Sequence, residues 1–164
     1  MAMEIRDFDA NDAGAIRTLL RAAFPGPQEA DLVEAIRRDG DAVIELVAGK
    51  VDAMAGALLL SRMRAPFRAL GLGPLAVAEG ARGRGLGAAL VRSGAGRARA
   101  QGWEALFVLG EPDYYRRFGF DVAAAACYES PYAGPYLMML TLTERALPKS
   151  GPIAYAPAFA ALES

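Results

Sequence analysis

The chain has 164 residues, a length typical of one compact domain. It carries 18 Lys and Arg against 19 Asp and Glu, a net charge of −1, which excludes the basic surface of a dedicated nucleic-acid-binding protein. Its longest uncharged stretch, Ser130 to Thr143, is too short to cross a bilayer, and charged residues begin at Glu4, so no signal peptide is expected. We therefore expect a cytoplasmic, soluble domain over residues 1–164 that contacts neither nucleic acid nor membrane.

Two residue types are scarce, and their scarcity narrows the chemistry. The chain has no histidine, which excludes histidine bases and histidine-bound metals. Its single cysteine, Cys127, excludes internal disulfides and cysteine clusters that hold a metal. No metal site is therefore expected, and Cys127 is expected to be a small, buried or half-buried apolar residue.

Hydrophobic periodicity and turn residues predict strands and helices along the whole chain. This order predicts an α/β fold with a mixed sheet, followed after Pro148 by a tail of lower regularity. The predicted strands are Met3–Phe8, Ala42–Ala48, Val51–Met63, Leu70–Ala78, Glu104–Leu109, Gly119–Val122 and Tyr136–Leu142, and the predicted helices run through Ile16–Ala23, Leu32–Ile36, Leu86–Gly102 and Asp113–Phe118.

The predicted strand Leu70–Ala78 is almost wholly apolar, as expected of a strand in the centre of a sheet. It also contains Gly71, Gly73 and Pro74. Proline belongs at a strand edge or a bulge because it has no N–H to donate. A local break in strand pairing is therefore expected here.

A glycine-rich turn, Arg82-Gly83-Arg84-Gly85-Leu86-Gly87, lies between that strand and the next helix. Glycines let backbone N–H groups come close to an anion, and a helix N-terminus adds a partial positive charge. Arg82 and Arg84 add formal charge beside it. These features together favour a pyrophosphate-binding loop over a turn that only packs helix against strand.

Two known phosphate-binding motifs fit this turn poorly. A P-loop needs Gly-Lys-Ser/Thr after its second glycine, and the chain has no such tripeptide. A dinucleotide-binding fingerprint is matched by Gly83, Gly85 and Ala88, with Glu111 as the acidic residue for the ribose. Only one β-α-β unit is predicted around it, however, so a nicotinamide-dependent oxidoreductase is kept as an alternative.

The pattern Arg82-x-x-Gly85-x-Gly87 resembles the coenzyme A signature of the GNAT superfamily of N-acetyltransferases. Downstream, Tyr114–Phe120 is similar to the Y-x-x-x-G-F element of that superfamily. Gly73–Val77 and the tail Pro152–Phe159 resemble a bacterial branch of predicted acetyltransferases. The resemblance implies a single-domain α/β fold with a mixed sheet of about seven strands, helices on both faces, and a splay between strands 4 and 5.

The resemblance also implies roles for individual residues. In that family the glycine loop binds the pyrophosphate of coenzyme A, the fourth strand pairs with pantetheine and offers an N–H to an oxyanion, and a tyrosine four residues before the motif glycine protonates the leaving thiolate. Tyr114 and Phe118 are expected to pack around that tyrosine. The implied residues are Arg82, Gly83, Arg84, Gly85, Leu86 and Gly87 for pyrophosphate, Leu75, Ala76 and Val77 for pantetheine, and Tyr115 as the acid.

The general base and the amine acceptor stay open. No acidic residue lies on Leu70–Ala78, and Glu111 is the nearest reasonable carboxylate for a general base. Proton loss through water, or capture of an amine that is already neutral, would need no base residue. In this fold the acceptor site comes largely from segments that correspond here to Phe24–Glu29 and Tyr128–Tyr136. The second segment is rich in aromatic and small residues, which favours an apolar wall over an acidic cleft.

The predicted function is transfer of an acetyl or other acyl group from acetyl-coenzyme A to a primary amine of a small molecule or peptide, in a ternary complex. The alternatives are a non-catalytic coenzyme A-binding module and the dinucleotide-dependent oxidoreductase. The apolar run Tyr136–Leu142 is compatible with a homodimer interface or with an interior strand.

Overall fold

The computed structural model describes residues 4–163. The two-residue strand β6 (Tyr128–Glu129) lies outside the main sheet. Six strands form that sheet: β1 (Ile5–Asp7), β2 (Ala42–Lys50), β3 (Ala53–Arg62), β4 (Ala69–Val77), β5 (Ala105–Leu109) and β7 (Leu137–Thr141). The spatial order is β1-β2-β3-β4-β5-β7. All neighbours are antiparallel except β4 and β5, which are parallel. The predicted mixed sheet is therefore confirmed.

The helices lie between these strands in chain order. They are α1 (Ala13–Ala23), α2 (Gln28–Arg38), α3 (Leu86–Ala100), α4 (Pro112–Tyr115) and α5 (Val122–Ala125). Short 3-10 helices cover Ala10–Asp12, Glu79–Ala81, Arg116–Phe118 and Pro157–Glu163. Within residues 4–163, no helix is both long and apolar enough to span a membrane.

The sheet has an apolar core on each face, because alternate strand residues point to opposite sides. On one face Leu58 of β3 packs with Leu90 and Val91 of α3. On the other face the next residue, Leu59, joins a cluster that contains residues of α1 and α2. Helices on both faces of the sheet are thus confirmed.

Strands β4 and β5 pair over only the first part of β4. The parallel register runs from Ala69 opposite Ala105 to Leu72 opposite Val108 and ends there. On the other edge of β4 the register with β3 shifts at the same place, since Leu60 pairs with Leu72 but Leu58 pairs with Leu75. The extra residue in β4 falls at Gly73-Pro74, where the proline has no N–H for a ladder bond. The expected splay between the two strands begins at this point.

The prediction of a strand at Gly119–Val122 is wrong. Only Asp121 makes a bridge, to Met139 of β7, and the Asp121 side chain accepts a hydrogen bond from Ala123 N. An aspartate with this bond is a helix N-cap, so the chain turns into α5 instead of extending. The sheet therefore has six strands where about seven were expected.

Three further expectations differ in detail. Cys127 is exposed rather than buried or half-buried. The tail after Pro148 is partly regular, because β8 (Gly151–Pro152) pairs in parallel with β6 and a 3-10 helix follows. The first strand was expected from Met3, which lies outside the described residues.

Strand β7 is the last strand of the sheet, and its outer edge is partly covered. Met139 N donates to Asp121 O at 3.0 Å, and Asp121 N donates to Met139 O at 3.0 Å. A second copy could extend the sheet along β7 only after Asp121 had left this edge. A homodimer through Tyr136–Leu142 stays a prediction.

Candidate active site

The glycine-rich turn forms the start of α3. Gly83 and Gly85 have φ values of +79° and +78°, a left-handed conformation that glycine adopts without strain. Open space lies where a Cβ on either residue would point. Gly85 is the N-cap of α3 and no side chain caps the helix, so the N–H groups of the first turn have no acceptor within the helix. The turn is an open cradle of backbone donors.

A cavity of about 390 Å³ lies at this turn. Arg82 is oriented by a hydrogen bond from its Nε to Val77 O, at 3.2 Å. Arg117 also lines this cavity and donates from Nε to Tyr114 O, at 3.1 Å. Two guanidinium groups therefore accompany the backbone donors in the part of the chain that the structure describes. The lining residues are Val77, Ala81, Arg82, Gly83, Gly85, Leu86, Gly87, Ala88, Tyr114 and Arg117.

Beyond the splay, one edge of β4 is left without a strand partner in the described sheet. Leu75, Ala76 and Val77 pair with β3, whereas the pairing with β5 ends at Leu72. The side chain of Ala76 is buried against the α1 and α2 side of the sheet. Val77 lines the cavity at the glycine turn, and Leu75 lines a second cavity. The free edge of β4 therefore connects the two cavities.

The second cavity, of about 340 Å³, is walled mainly by apolar and aromatic side chains. Polar groups are few: the Glu29 carboxylate oxygen Oε1 and the Tyr155 hydroxyl are buried and have no hydrogen-bond partner. Burial raises the pKa of the Tyr155 phenol, so this hydroxyl keeps its proton. The lining residues are Phe24, Glu29, Leu32, Leu72, Gly73, Pro74, Leu75, Leu109, Tyr115, Tyr132, Tyr155, Phe159 and Leu162.

Tyr115 is the last residue of α4 and lines this second cavity. Its ring lies so close to Gly110 that a Cβ there would be 2.5 Å from the ring. Edge-to-face contacts with Tyr114 and Phe120, at centroid distances of 5.0 and 5.7 Å, hold the ring in place. Burial, and to a smaller extent Tyr114, raises the pKa of Tyr115 to about 12. The phenol is therefore neutral at physiological pH.

Tyr114 lines the first cavity, the one at the glycine-rich turn, whereas its neighbour Tyr115 lines the second. The Tyr114 hydroxyl would be 2.8 Å from a Cβ on Gly87, so α4 packs directly on the first turn of α3. The two adjacent tyrosines thus fix the position of one cavity relative to the other.

Comparison with known proteins decides the family. The profile of the acetyltransferase (GNAT) family matches residues 13–120. This range includes the glycine-rich turn and the Y-x-x-x-G-F element at Tyr114–Phe120. The chain belongs to this family.

Relatives of this acetyltransferase-family chain cover most of its length. It is 38% identical to the uncharacterised N-acetyltransferase YhbS of Escherichia coli (strain K12) over 117 residues, 69% of this chain and 70% of that protein. It is 34% identical to the uncharacterised N-acetyltransferase YjhQ of the same strain over 159 residues, 88% of this chain and 87% of that protein.

Two solved structures of GNAT acetyltransferases share the fold. The crystal structure of Escherichia coli YhbS in complex with CoA has a TM-score of 0.88 and 30% identity, over 98% of this chain and 94% of that chain. A Brucella melitensis GNAT acetyltransferase in complex with acetyl-CoA has a TM-score of 0.81 and 28% identity, over 96% of this chain and 98% of that chain.

The GNAT fold brings most of the predicted site residues together. Arg82, Gly83, Gly85, Leu86 and Gly87 line the first cavity, and Leu75 and Tyr115 line the second. Arg84 is exposed and lines neither cavity. Glu111 is exposed at the start of α4 and lines neither cavity. No group of three or more metal-ligating side chains occurs among the described residues.

Several residues that line the two cavities were not assigned to the site from the sequence, and those with a polar or aromatic side chain are Arg117, Tyr155 and Phe159. Arg117 lies within the tyrosine motif, and its charge beside Tyr114 was the available signal. Tyr155 and Phe159 come from the tail, where two aromatic residues in a proline-containing segment were the only sign of a cavity wall. Of the two acceptor segments expected, Phe24, Glu29 and Tyr132 line the second cavity.

Proposed function

We propose that this GNAT-family protein, as a single domain over residues 1–164, transfers an acetyl group from acetyl-coenzyme A to a primary amine of a small molecule or peptide. The coenzyme supplies an acyl group activated as a thioester. The protein supplies binding, orientation and a proton. The acetyl-CoA and CoA complexes of the two related proteins support this choice of donor.

The residues around the glycine turn fit a pyrophosphate. Gly83, Gly85 and Gly87 line the cavity at this turn, a Cβ on Gly83 or Gly85 would meet open space, and the start of α3 favours negative charge. The guanidinium groups of Arg82 and Arg117 lie on the walls of the same cavity. Because none of these donors carries an acidic partner in the described ion pairs, they are available for phosphate oxygens.

The free edge of β4 fits an extended amide-containing chain. Leu75, Ala76 and Val77 would bind pantetheine as a strand is bound, through main-chain groups that β5 does not occupy. One N–H of this edge would also donate to the thioester carbonyl oxygen, where negative charge develops during acyl transfer. Removal of one such donor costs about 3–4 kcal/mol in other acyl-transfer enzymes.

Tyr115 would serve as the general acid. Its phenol carries a proton at every physiological pH, since its pKa is raised to about 12. It lines the cavity that also contains Leu75 of the free β4 edge. Tyr115 Oη would therefore hold the proton that a departing thiolate needs.

The proposal depends above all on the splay at Gly73, which frees the β4 edge between the pyrophosphate cradle and the Tyr115 cavity. It is tested by incubating the protein with acetyl-coenzyme A and a panel of primary amines. Release of the coenzyme thiol together with an N-acetylated product, identified by mass spectrometry, is expected. Coenzyme binding without transfer to any amine would instead favour the non-catalytic module.

The oxidoreductase alternative has little structural support. A dinucleotide-binding fold needs a mostly parallel sheet built from repeated β-α-β units. Here β4 and β5 are the one parallel pair in the described six-stranded sheet, and the strands before them are antiparallel.

A further inference from the structure

Glu29 is the one acidic residue among the described residues that line the second cavity. It lies in the first turn of α2, is half-buried and lines the cavity that contains Tyr115. Its Oε1 atom is buried and has no hydrogen-bond partner. A buried carboxylate oxygen without a partner is costly unless a cation or donor reaches it. No lysine or arginine is among the described residues that line this cavity.

The other acidic residues of α2 do have cationic partners. Asp31 and Glu34 both pair with Arg17 of α1, at 3.0 Å in each case. Glu29 is in none of the described ion pairs. The helix therefore uses two of its carboxylates to bind α1 and directs the third to the cavity.

Aromatic rings surround the same space. Phe24 precedes α2, while Tyr155 and Phe159 come from the C-terminal segment, with their ring centroids 5.0 Å apart. The ring of Tyr132 stands edge-on to Tyr155, at 5.6 Å. Aromatic faces attract ammonium groups and also bury apolar groups. A cavity of about 340 Å³ is at the lower end of the usual size for small-molecule sites.

Resting on the acyltransferase function proposed above, we infer that the acceptor is a monocationic amine with an aryl or alkyl body, whose ammonium group binds Glu29. One carboxylate matches one positive charge. A polyamine would bring further ammonium groups against apolar walls without a carboxylate to neutralise them. An α-amino acid would bring a carboxylate that no basic residue of the cavity could bind. Both classes should therefore bind more weakly.

The test measures whether the cavity binds an amine more tightly than an uncharged alcohol of the same shape. The wild-type protein, with and without coenzyme A, is titrated in a calorimeter with 2-phenylethylamine and 2-phenylethanol, and with hexylamine and hexanol. At least one amine should bind about tenfold or more tightly than its alcohol, as expected for a hydrogen bond to a charged group. Spermidine and phenylalanine should bind at least about tenfold more weakly than that amine.

Substitutions assign the preference to a residue. Glu29→Gln keeps the side-chain shape and should remove the preference of the amine over the alcohol, with the alcohol affinity unchanged. Glu111→Gln, a carboxylate outside the cavity, should keep the preference. Phe159→Ala should weaken both the amine and the alcohol, since it removes apolar contact that both ligands make, and the preference for the amine set by Glu29 should remain.

The inference is overturned if no amine binds more tightly than its alcohol, or if Glu29→Gln retains the preference. It is also overturned if spermidine or phenylalanine binds as tightly as the simple amines. These results concern the acceptor cavity and are read from binding alone. Failure of the proposed function would show separately, as absence of coenzyme A binding or of acetyl transfer by the wild-type protein.

Discussion

At the scale of the residue, Tyr115 carries the chemical proposal. Tyr115→Phe removes the hydroxyl and keeps the ring contacts with Tyr114 and Phe120. We expect kcat to fall about 100-fold or more, as for loss of a general acid, with the Kd for coenzyme A nearly unchanged. Steady-state kinetics and calorimetry measure the two quantities.

The matched control is Tyr136→Phe, at an exposed tyrosine that lines neither cavity. It should retain wild-type kcat. If Tyr115→Phe also kept full activity in a reaction limited by chemistry, Tyr115 would not be the acid.

The raised pKa of Tyr115 also predicts a pH dependence of stability. A tyrosine in the unfolded chain ionises near its reference pKa of about 10, whereas burial raises the folded pKa of Tyr115 to about 12. Between these values the folded state holds a proton that the unfolded state has lost, so the free energy of unfolding should fall as pH rises. In urea unfolding from pH 9 to about pH 12, the free energy of unfolding should fall less steeply with pH for Tyr115→Phe than for wild type. Equal slopes would contradict the burial of this phenol.

At the scale of the element, the start of α3 is expected to control coenzyme binding. Gly85→Glu places bulk and negative charge in the open cradle, and we expect coenzyme A affinity to fall below detection. The matched control is Gly40→Glu, because Gly40 has a φ of +79° and open space around it but lies between α2 and β2, away from both cavities. This variant carries the same backbone strain and should bind coenzyme A normally. If both variants lost coenzyme A binding equally, the loss would be due to impaired folding and not to the cradle.

Helix α3 also offers a matched pair that tests its packing on the sheet. A Cβ on Gly94 would be 2.9 Å from Leu58 Cδ2, whereas a Cβ on Gly96 meets open space. Gly94→Leu should lower the free energy of unfolding by about 1–3 kcal/mol through overpacking. Gly96→Leu should raise it by about 0.5–1 kcal/mol through helix propensity. Urea unfolding measures both, and equal effects would contradict the orientation of α3.

The sequence predicts those elements whose local signals agree with the tertiary structure. The apolar run with Gly73-Pro74 predicts both a central strand and its break, and the structure has both. At Asp121 the local signals conflict, because the predicted strand Gly119–Val122 contains a residue that caps a helix, and the cap prevails. The cavity wall from Tyr155 and Phe159 depends on how the tail packs across distant elements, which periodicity does not encode.

At the scale of the whole molecule, the fold places two cavities along the free edge of β4, and we propose that one recognises the donor and the other the acceptor. Val77 of the free β4 edge lines the basic, glycine-lined cavity, and Leu75 of the same edge lines the apolar cavity with Glu29. Adjacent tyrosines of α4 contact one cavity each. The proposed acetyl transfer at this edge therefore requires that the described sheet stay split after Leu72, so that coenzyme A can bind across the split.

The most direct measurement is the melting temperature of the purified protein with acetyl-coenzyme A, coenzyme A or NADH. A ligand that binds only the native state stabilises it by mass action, and at about 100 times Kd the shift for a chain of this size is about 5–10 °C. If coenzyme A binds across the split sheet, such a shift is expected with both coenzyme A species and none with NADH. A shift with NADH alone, or with none of the three ligands, would contradict that binding.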